Sequence, residues 1–197
     1  MRGSAVERAK AWQPGQPVRL DTARTVIRSM TADDVTERYV SWFADAEVMR
    51  HITMDMNLSR AELLEFVASF DNAERFHFGV FLKDSGLPIG WLKILCDLPD
   101  KRGIMTTVIG DRDYWGRGFG FEMRTAIIDF MFDVLGLHKA VSKVYSDSLP
   151  AQGLNTKLGF RREGILLEHE VGRGGEWRDV HVFGILADEW RRRRNTP

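Results

Sequence analysis

Cysteine is all but missing from this chain: there is one among 197 residues. A single thiol closes no internal disulfide and builds no Cys-rich zinc site, so the fold needs no oxidising compartment and no metal site is expected. Excess charge is missing as well. Lys and Arg number 28, Asp and Glu also 28, and a formal net charge of zero argues against a protein whose main task is gripping nucleic acid. Long apolar runs are absent. Stretches such as Ala126 to Met131 are far too short to span a bilayer, and no apolar signal segment follows the polar start Met1 to Lys10, so the expectation is a cytoplasmic protein with no membrane partner. What is present suits one globular domain: 44% of residues are hydrophobic, enough at this length for a substantial core.

Pro14, Gly15 and Pro17 interrupt any period near the start, so residues 1–19 read as a flexible arm. Organised structure is expected over 20–190, and the arginine run at 191–194 makes 191–197 a basic, solvated tail. Val26 to Arg28 reads as a strand. Thr31 with Asp34 resembles a capping box opening a helix that buries Val35, Tyr39 and Trp42, and Ser59 with Glu62 opens a second one around Leu63, Phe66, Val67 and Phe70. The period then changes to that of strands: Phe76 to Leu82, the turn residues Lys83 to Gly86, Ile89 to Leu95, and Gly103 to Gly110. A helical pattern carries Met123, Ile127, Phe130, Met131 and Val134 on one side. Lys139 to Tyr145 is a strand, Pro150 to Leu158 a short helix, and Ile165 to Val171 and Val180 to Leu186 are two final strands around a Gly-rich turn. The order β, α, α, β, β, β, α, β, α, β, β describes one α+β domain with a mixed sheet.

The most informative stretch joins the third strand of the middle group to the long helix through Gly116, Gly118 and Gly120. Glycines let the backbone turn tightly and approach a ligand, and the helix beyond offers unpaired N–H groups and the positive end of its dipole. Such a turn suits phosphate, with Arg117 adding charge; the same glycines also serve close packing of strand on helix. A dinucleotide fingerprint fails because its third Gly would fall on Phe121, and no G-x-x-x-x-G-K-[ST] loop exists. A pyrophosphate-bearing ligand of another kind remains.

Val108-Ile109-Gly110-Asp111, Tyr114 to Gly120, Leu135 to Lys139 and Lys157 to Phe160 together resemble the GNAT superfamily of acyl-CoA N-acetyltransferases, in particular the branch of ribosomal-protein alanine and small-molecule or amino-sugar acetyltransferases. The resemblance runs from about Leu20 to Trp190. It implies a mostly antiparallel mixed sheet with a splayed central pair of parallel strands, 104–110 and 139–145, flanked by helices. It implies acetyl-CoA as cosubstrate, with Val108, Ile109, Arg117, Gly118, Gly120 and Phe121 as cofactor contacts. The acceptor would be a small-molecule amine or a protein N-terminus, and the assembly a homodimer. Trp42, Arg50 and His51 fall in the region that helps form the acceptor pocket in this family, although helix packing and surface charge also account for them.

Amide formation from a thioester needs a neutral amine, and alkyl ammonium groups titrate near about 10.4 against about 8.5 for the departing thiol. The larger need is therefore a base. The chain departs here from the family pattern: Asn155 stands where the general-acid Tyr is usual, and Ser148 where an Asn often contacts the cofactor. Asn155 can donate a hydrogen bond but not a net proton. No carboxylate lies on the strand entering the glycine loop. On the Ile165 to Val171 strand, alternation groups His169 with Ile165, Leu167 and Val171, which makes it a candidate base in a half-buried setting; a hydrogen-bonded core or edge histidine is the plainer reading. Asp97, Glu170 and Asp179 are weaker candidates. These departures leave a noncatalytic acyl-CoA binding or regulatory module as the rival to an enzyme.

Overall fold

Alternating and helical patterns become, in a computed structural model describing residues 11–52, 58–172 and 174–195, eight strands and five helices. In chain order they are β1 (Arg19–Asp21), β2 (Thr25–Ser29), α1 (Glu37–Ala44), α2 (Arg60–Ala68), β3 (Arg75–Leu82), β4 (Pro88–Asp97), β5 (Arg102–Ile109), α3 (Phe119–Asp133), β6 (Lys139–Tyr145), α4 (Leu149–Leu158), β7 (Arg161–Val171), β8 (Trp177–Leu186) and α5 (Ala187–Asn195). One sheet takes all eight strands in the order β1-β2-β3-β4-β5-β6-β8-β7. Every pairing is antiparallel except β5 with β6. This is the mixed, mostly antiparallel α+β domain that the resemblance implies.

Both faces of the sheet are covered. Phe76, Phe78 and Val80 of β3 and Leu92 and Ile94 of β4 pack with Met123, Ile127, Phe130 and Met131 of α3 in one core. The intervening side chains turn the other way. Trp91 and Val108 join Tyr39, Trp42 and Phe43 of α1 and Leu63 and Val67 of α2 in a second core. His77 lies on this second face, its ring stacked on Phe70 and its Nε2 2.9 Å from the Tyr39 hydroxyl.

Three sequence expectations are corrected. Thr31 and Asp34 do form a capping arrangement, but it closes only a single 3-10 turn, Ala32–Asp34, while Arg28 takes both oxygens of Asp34 at 2.7 and 2.6 Å. The true cap of α1 is Thr36, whose hydroxyl accepts from the Tyr39 N–H. Within the arm expected at 1–19, the described part is docked: Val18 is buried and Trp12 packs against Phe76 and Phe130. The basic segment expected at 191–197 continues α5 as far as Asn195. Its arginines are engaged: Arg191 with Asp133, Arg194 with Asp129, and Arg193 with the Lys157 carbonyl, while Trp190 donates to Asp129 at 2.7 Å. The arginines stay exposed, as the sequence reading has them, and meet carboxylates of α3 at the surface.

Burial, reinforced by the charge of Lys93, lowers His77 from 6.5 to about 3. The folded protein thus holds this imidazole neutral while the unfolded chain protonates it below about 6.5. Stability from this site is full above that value and is lost as pH falls toward about 3. The double variant Tyr39→Phe/His77→Phe, which removes the imidazole with its partner, is expected to flatten the decline of Tm between pH 6.5 and 4 relative to wild type; an unchanged slope by scanning calorimetry would refute this.

Candidate active site

The sheet opens at one place. β5 pairs with β6 only through Arg102, Gly103 and Ile104 against Lys139, Ala140 and Val141. Beyond that, β5 keeps its β4 partners as far as Ile109, and β6 keeps its β8 partners as far as Tyr145. From Met105 to Ile109 one edge of β5 therefore faces a gap inside the sheet. Backbone groups at such an edge need partners, and an extended ligand bearing amides supplies them.

The glycine turn lies at the open end of this gap. Gly118 caps α3 from the left-handed region, with φ of +82°, and Gly116 has φ of +70°. The first return bond of α3 is that of the Glu122 N–H to the Gly118 carbonyl, at 3.1 Å. The amides of the first helical turn before it have no intrahelical acceptor and carry the positive pole of the dipole. Gly120 faces α4, where an added Cβ would stand 3.4 Å from Leu154. Phe121 and Arg117 are exposed, Arg117 lying over the Tyr114 ring at 5.6 Å. Val108 is buried in the α1 face, and the Ile109 carbonyl already accepts from the Trp115 indole at 2.8 Å. The glycine turn follows the end of β5, an arrangement suited to a pyrophosphate followed by an extended amide chain. Among the described residues, no group of three or more His, Cys, Asp or Glu side chains is arranged to hold a metal ion.

The sequence reading missed the clamp that holds this turn. Arg24, in the β1–β2 turn, reaches the Arg117 carbonyl at 3.0 Å and Glu122 Oε2 at 2.7 Å, and its guanidinium lies 3.9 Å from the Phe119 ring centre. Thr22 adds a hydrogen bond to Glu122 at 2.5 Å. Burial opposes ionisation of Glu122, but the bonds from Thr22 and Arg24 prevail and hold its carboxyl below the ordinary range. No sequence spacing links Arg24 to Glu122; only a charged residue in an otherwise small turn hinted at a role.

Asn155 and Ser148 both lie on the β6 side of the gap and both are buried. Asn155 Nδ2 donates to the Ser142 hydroxyl at 3.3 Å, and its Oδ1 has no partner. Ser142 follows directly on the last β6 residue paired with β5, so Asn155 sits at the fork. Ser148 opens α4 without using its hydroxyl as a cap.

His169 does not belong to this site. Glu168 has φ of +46° and the β7–β8 register slips between Leu166 and Glu170, so the alternation that grouped His169 with apolar neighbours breaks. Its supposed companions Ile165, Leu167 and Val171 are 46, 75 and 53% exposed on an edge strand, and His169 is exposed with them. Asp97 is tied to Arg102 at the closed end of the gap, and Asp179 accepts from the Glu168 N–H at 2.8 Å. The Cys96 thiol, pushed up to about 12 chiefly by burial, stays protonated and is no nucleophile.

At the open end, three segments distant in sequence meet. His51 Nδ1 stands 3.5 Å from Asp147 Oδ1; Arg178 of β8 pairs with Asp147, donates to the Arg50 carbonyl at 3.3 Å, and covers the Tyr145 ring at 4.3 Å. In sequence His51 reads equally as helix packing or acceptor pocket, and no motif marks Asp147 or Arg178.

A sheet split beside a glycine-capped helix defines an acyl-CoA binding fold. Residues 24–161 match the acetyltransferase (GNAT) domain family, and the chain belongs to it as an acetyl-CoA dependent N-acetyltransferase. It is 28% identical over 176 residues to the uncharacterized N-acetyltransferase YnaD of Bacillus subtilis (strain 168), covering 87% of this chain and 98% of that protein. Among solved structures, spermidine N-acetyltransferase from Vibrio cholerae, in complex with CoA and spermine, superposes with a TM-score of 0.78 at 21% identity, over 85% of this chain and 98% of the other. The ribosomal-protein-S5-alanine acetyltransferase from Vibrio fischeri gives 0.77 at 17% identity, over 88 and 98%.

Gly118→Ala leaves room for the methyl, whose nearest neighbour would be Arg24 Nη2 at 3.6 Å, so its effect is on the backbone alone. A left-handed alanine costs about 1–2 kcal/mol, and where binding must restore the native turn, CoA affinity is expected to fall about five- to thirtyfold. Titration calorimetry with CoA checks this; unchanged affinity would separate the turn from the cofactor.

Proposed function

We propose that this N-acetyltransferase moves acetyl from acetyl-CoA to a small-molecule primary amine, such as a polyamine or amino sugar, by direct attack in a ternary complex. The observation that carries the reading is the free edge of β5 from Met105 to Ile109, ending at the Gly118-capped helix. In this reading the backbone at Ile109 pairs with the pantetheine arm, while the Val108 carbonyl is turned toward Gly90 of β4. The amides of Gly118, Gly120 and Phe121, with the charge of Arg117, hold the pyrophosphate. Asn155 supports the thioester end from the fork, its free Oδ1 accepting from a pantetheine amide while Nδ2 stays on Ser142. Ser148 lines the same wall. With no tyrosine acid there, the sulfur departs as thiolate or takes a proton released from the amine, which its lower basicity permits.

The balanced net charge favours a small acceptor over a ribosomal one, and spermidine acetylation by a neighbour of this fold supports the same class. A protein N-terminus is the other acceptor class the fold accommodates. The reading places the chain in the cytoplasm. The exposed Leu167, Val171 and Trp177 at the β7 edge support a homodimer.

The test is release of free thiol from acetyl-CoA in the presence of a diamine, a polyamine, an amino sugar and an alanyl peptide. Turnover with the small amines at least tenfold above the peptide is expected. Thermal stabilisation by CoA without turnover on any of them would favour the noncatalytic module, and preference for the peptide would replace the acceptor class. Asn155→Leu, which keeps the volume but loses the polar anchor at the fork, is expected to weaken acetyl-CoA binding about tenfold, the order of one buried hydrogen bond lost with its partner left unpaired. Unaltered binding by calorimetry would remove Asn155 from the cofactor site.

A further inference from the structure

Helix α3 buries a charge with no counter-charge beside it. Arg124 is only 2% exposed, and its Nε is sealed from water with no hydrogen-bond partner. The carboxylates nearest it along α3 are engaged elsewhere: Glu122 by Arg24, Asp129 by Arg194 and Trp190. The group it faces is the Phe160 ring, whose centre lies 5.7 Å from the guanidinium carbon. Burial pushes the side chain down only to about 10, so it stays a cation at pH 7. Burying a cation without an anion is unfavourable, and that cost is offset where negative charge develops beside it.

The position of Arg124 follows from how α3 lies on α4. Both helices return from parallel strands, β5 and β6, and so run in the same direction. Gly120 meets Leu154 of α4; Arg124, one turn further on the same face of α3, meets Phe160 just past the end of α4. Asn155 belongs to the interval between those contacts. Its carbonyl accepts from the Phe160 N–H at 3.0 Å, and its Nδ2 donates to Ser142, the residue after the last β6 position paired with β5. A long helical side chain lies over the turn before its own Cα, which directs Arg124 back from Phe160 toward the level of Asn155. The seam between the two helices thus holds a donor without an acceptor, Arg124 Nε, and an acceptor without a donor, Asn155 Oδ1.

Negative charge develops at this level when the thioester breaks. In the proposed transfer the thioester lies beside Asn155, which stands in place of a tyrosine acid and gives up no net proton. A guanidinium keeps its protons as well, but it stabilises a thiolate without transferring one. Resting on the acetyltransferase reading, we propose that Arg124 is the cation that receives the CoA thiolate as it departs, its charge serving where a proton donor is missing. The lone pair of the neutral amine forms the C–N bond, the C–S bonding pair leaves on sulfur beside Arg124, and one nitrogen proton passes through water to the thiolate. Amine and acetyl-CoA become amide and thiol.

Two measurements on the full chain test this. The first needs no acceptor: CoA is bound and its thiol titrated by the ultraviolet absorbance of the thiolate. Thiols titrate near about 8.5, and an opposite charge within about 4–6 Å moves such a group by about 1–3 pH units. CoA bound to wild type is therefore expected to titrate at about pH 7.5 or below. In Arg124→Met it should return close to the value of free CoA, and in Arg124→Lys it should stay low, a pattern that a packing role would not produce. The second measurement is turnover with whichever amine of the panel above reacts fastest. Arg124→Met should lower kcat about 100-fold, the order of one donor aimed at developing charge, with CoA affinity within about threefold and Arg124→Lys recovering about tenfold or more. Because Met removes an unpaired buried charge, Tm of that variant should hold or rise; should it fail to fold, the wild-type titration decides alone. A wild-type bound thiol titrating as in free CoA, an unshifted titration in Arg124→Met, or Arg124→Met turning over within twofold of wild type would overturn the assignment and leave the transfer reading standing. Wild-type protein that neither binds CoA nor releases thiol would overturn both.

Discussion

Two neighbouring strands can share a sheet and still part company when each is held more firmly on its outer side. β5 is committed to β4 along its full length, and β6 to β8 along its own. Their mutual pairing covers only three residues each, at the end where the Lys101 carbonyl also accepts from His138 and Lys139. Beyond that clamp, Asn155 of α4 donates to the Ser142 hydroxyl, one residue past the last paired position of β6. The remaining features of the site follow from this divergence. The gap supplies an unpaired strand edge, the crossover through α3 brings a helix N-terminus to its open end, and α1 and the β6–α4 connection form its lips.

Anion recognition here does not depend on net charge. It rests on backbone amides aligned by Gly118 and on a dipole, both of which a count of Lys and Arg cannot register. The geometry is maintained by a small charged clamp, Arg24 with Glu122, which neutralises itself while fixing the turn. Glu122 near the start of α3 would by itself weaken an anion site through its charge. Pairing with Arg24 removes that opposition and places a guanidinium against the Arg117 carbonyl.

Much of the fold was legible because local signals agreed with tertiary demand. Phe76 and Phe78 alternate as a strand should and are fully buried; Ser59 and Glu62 cap α2 as their spacing suggests; Met123, Ile127 and Phe130 share the inner face of α3. The misreadings have a common cause. Thr31–Asp34, His169 and the arginines after Trp190 were judged by their own neighbourhoods. Their conformation or environment is set by Arg28, by a bulge against β8, and by carboxylates on α3.

The sequence alone determined the element order apart from β1 and α5, the glycine turn and its match to an acyl-CoA family, because these depend on residues close in the chain: periodicity, turn chemistry and helix polarity are local properties. It also determined that the usual tyrosine acid is replaced by Asn155. Only the tertiary structure decided where the splay between β5 and β6 begins, that Arg24 clamps the turn, and that His51, Asp147 and Arg178 meet. Those depend on how a sheet of eight strands is ordered and where two of them diverge. Long-range pairing sets that order, and no short-range pattern in the chain encodes it.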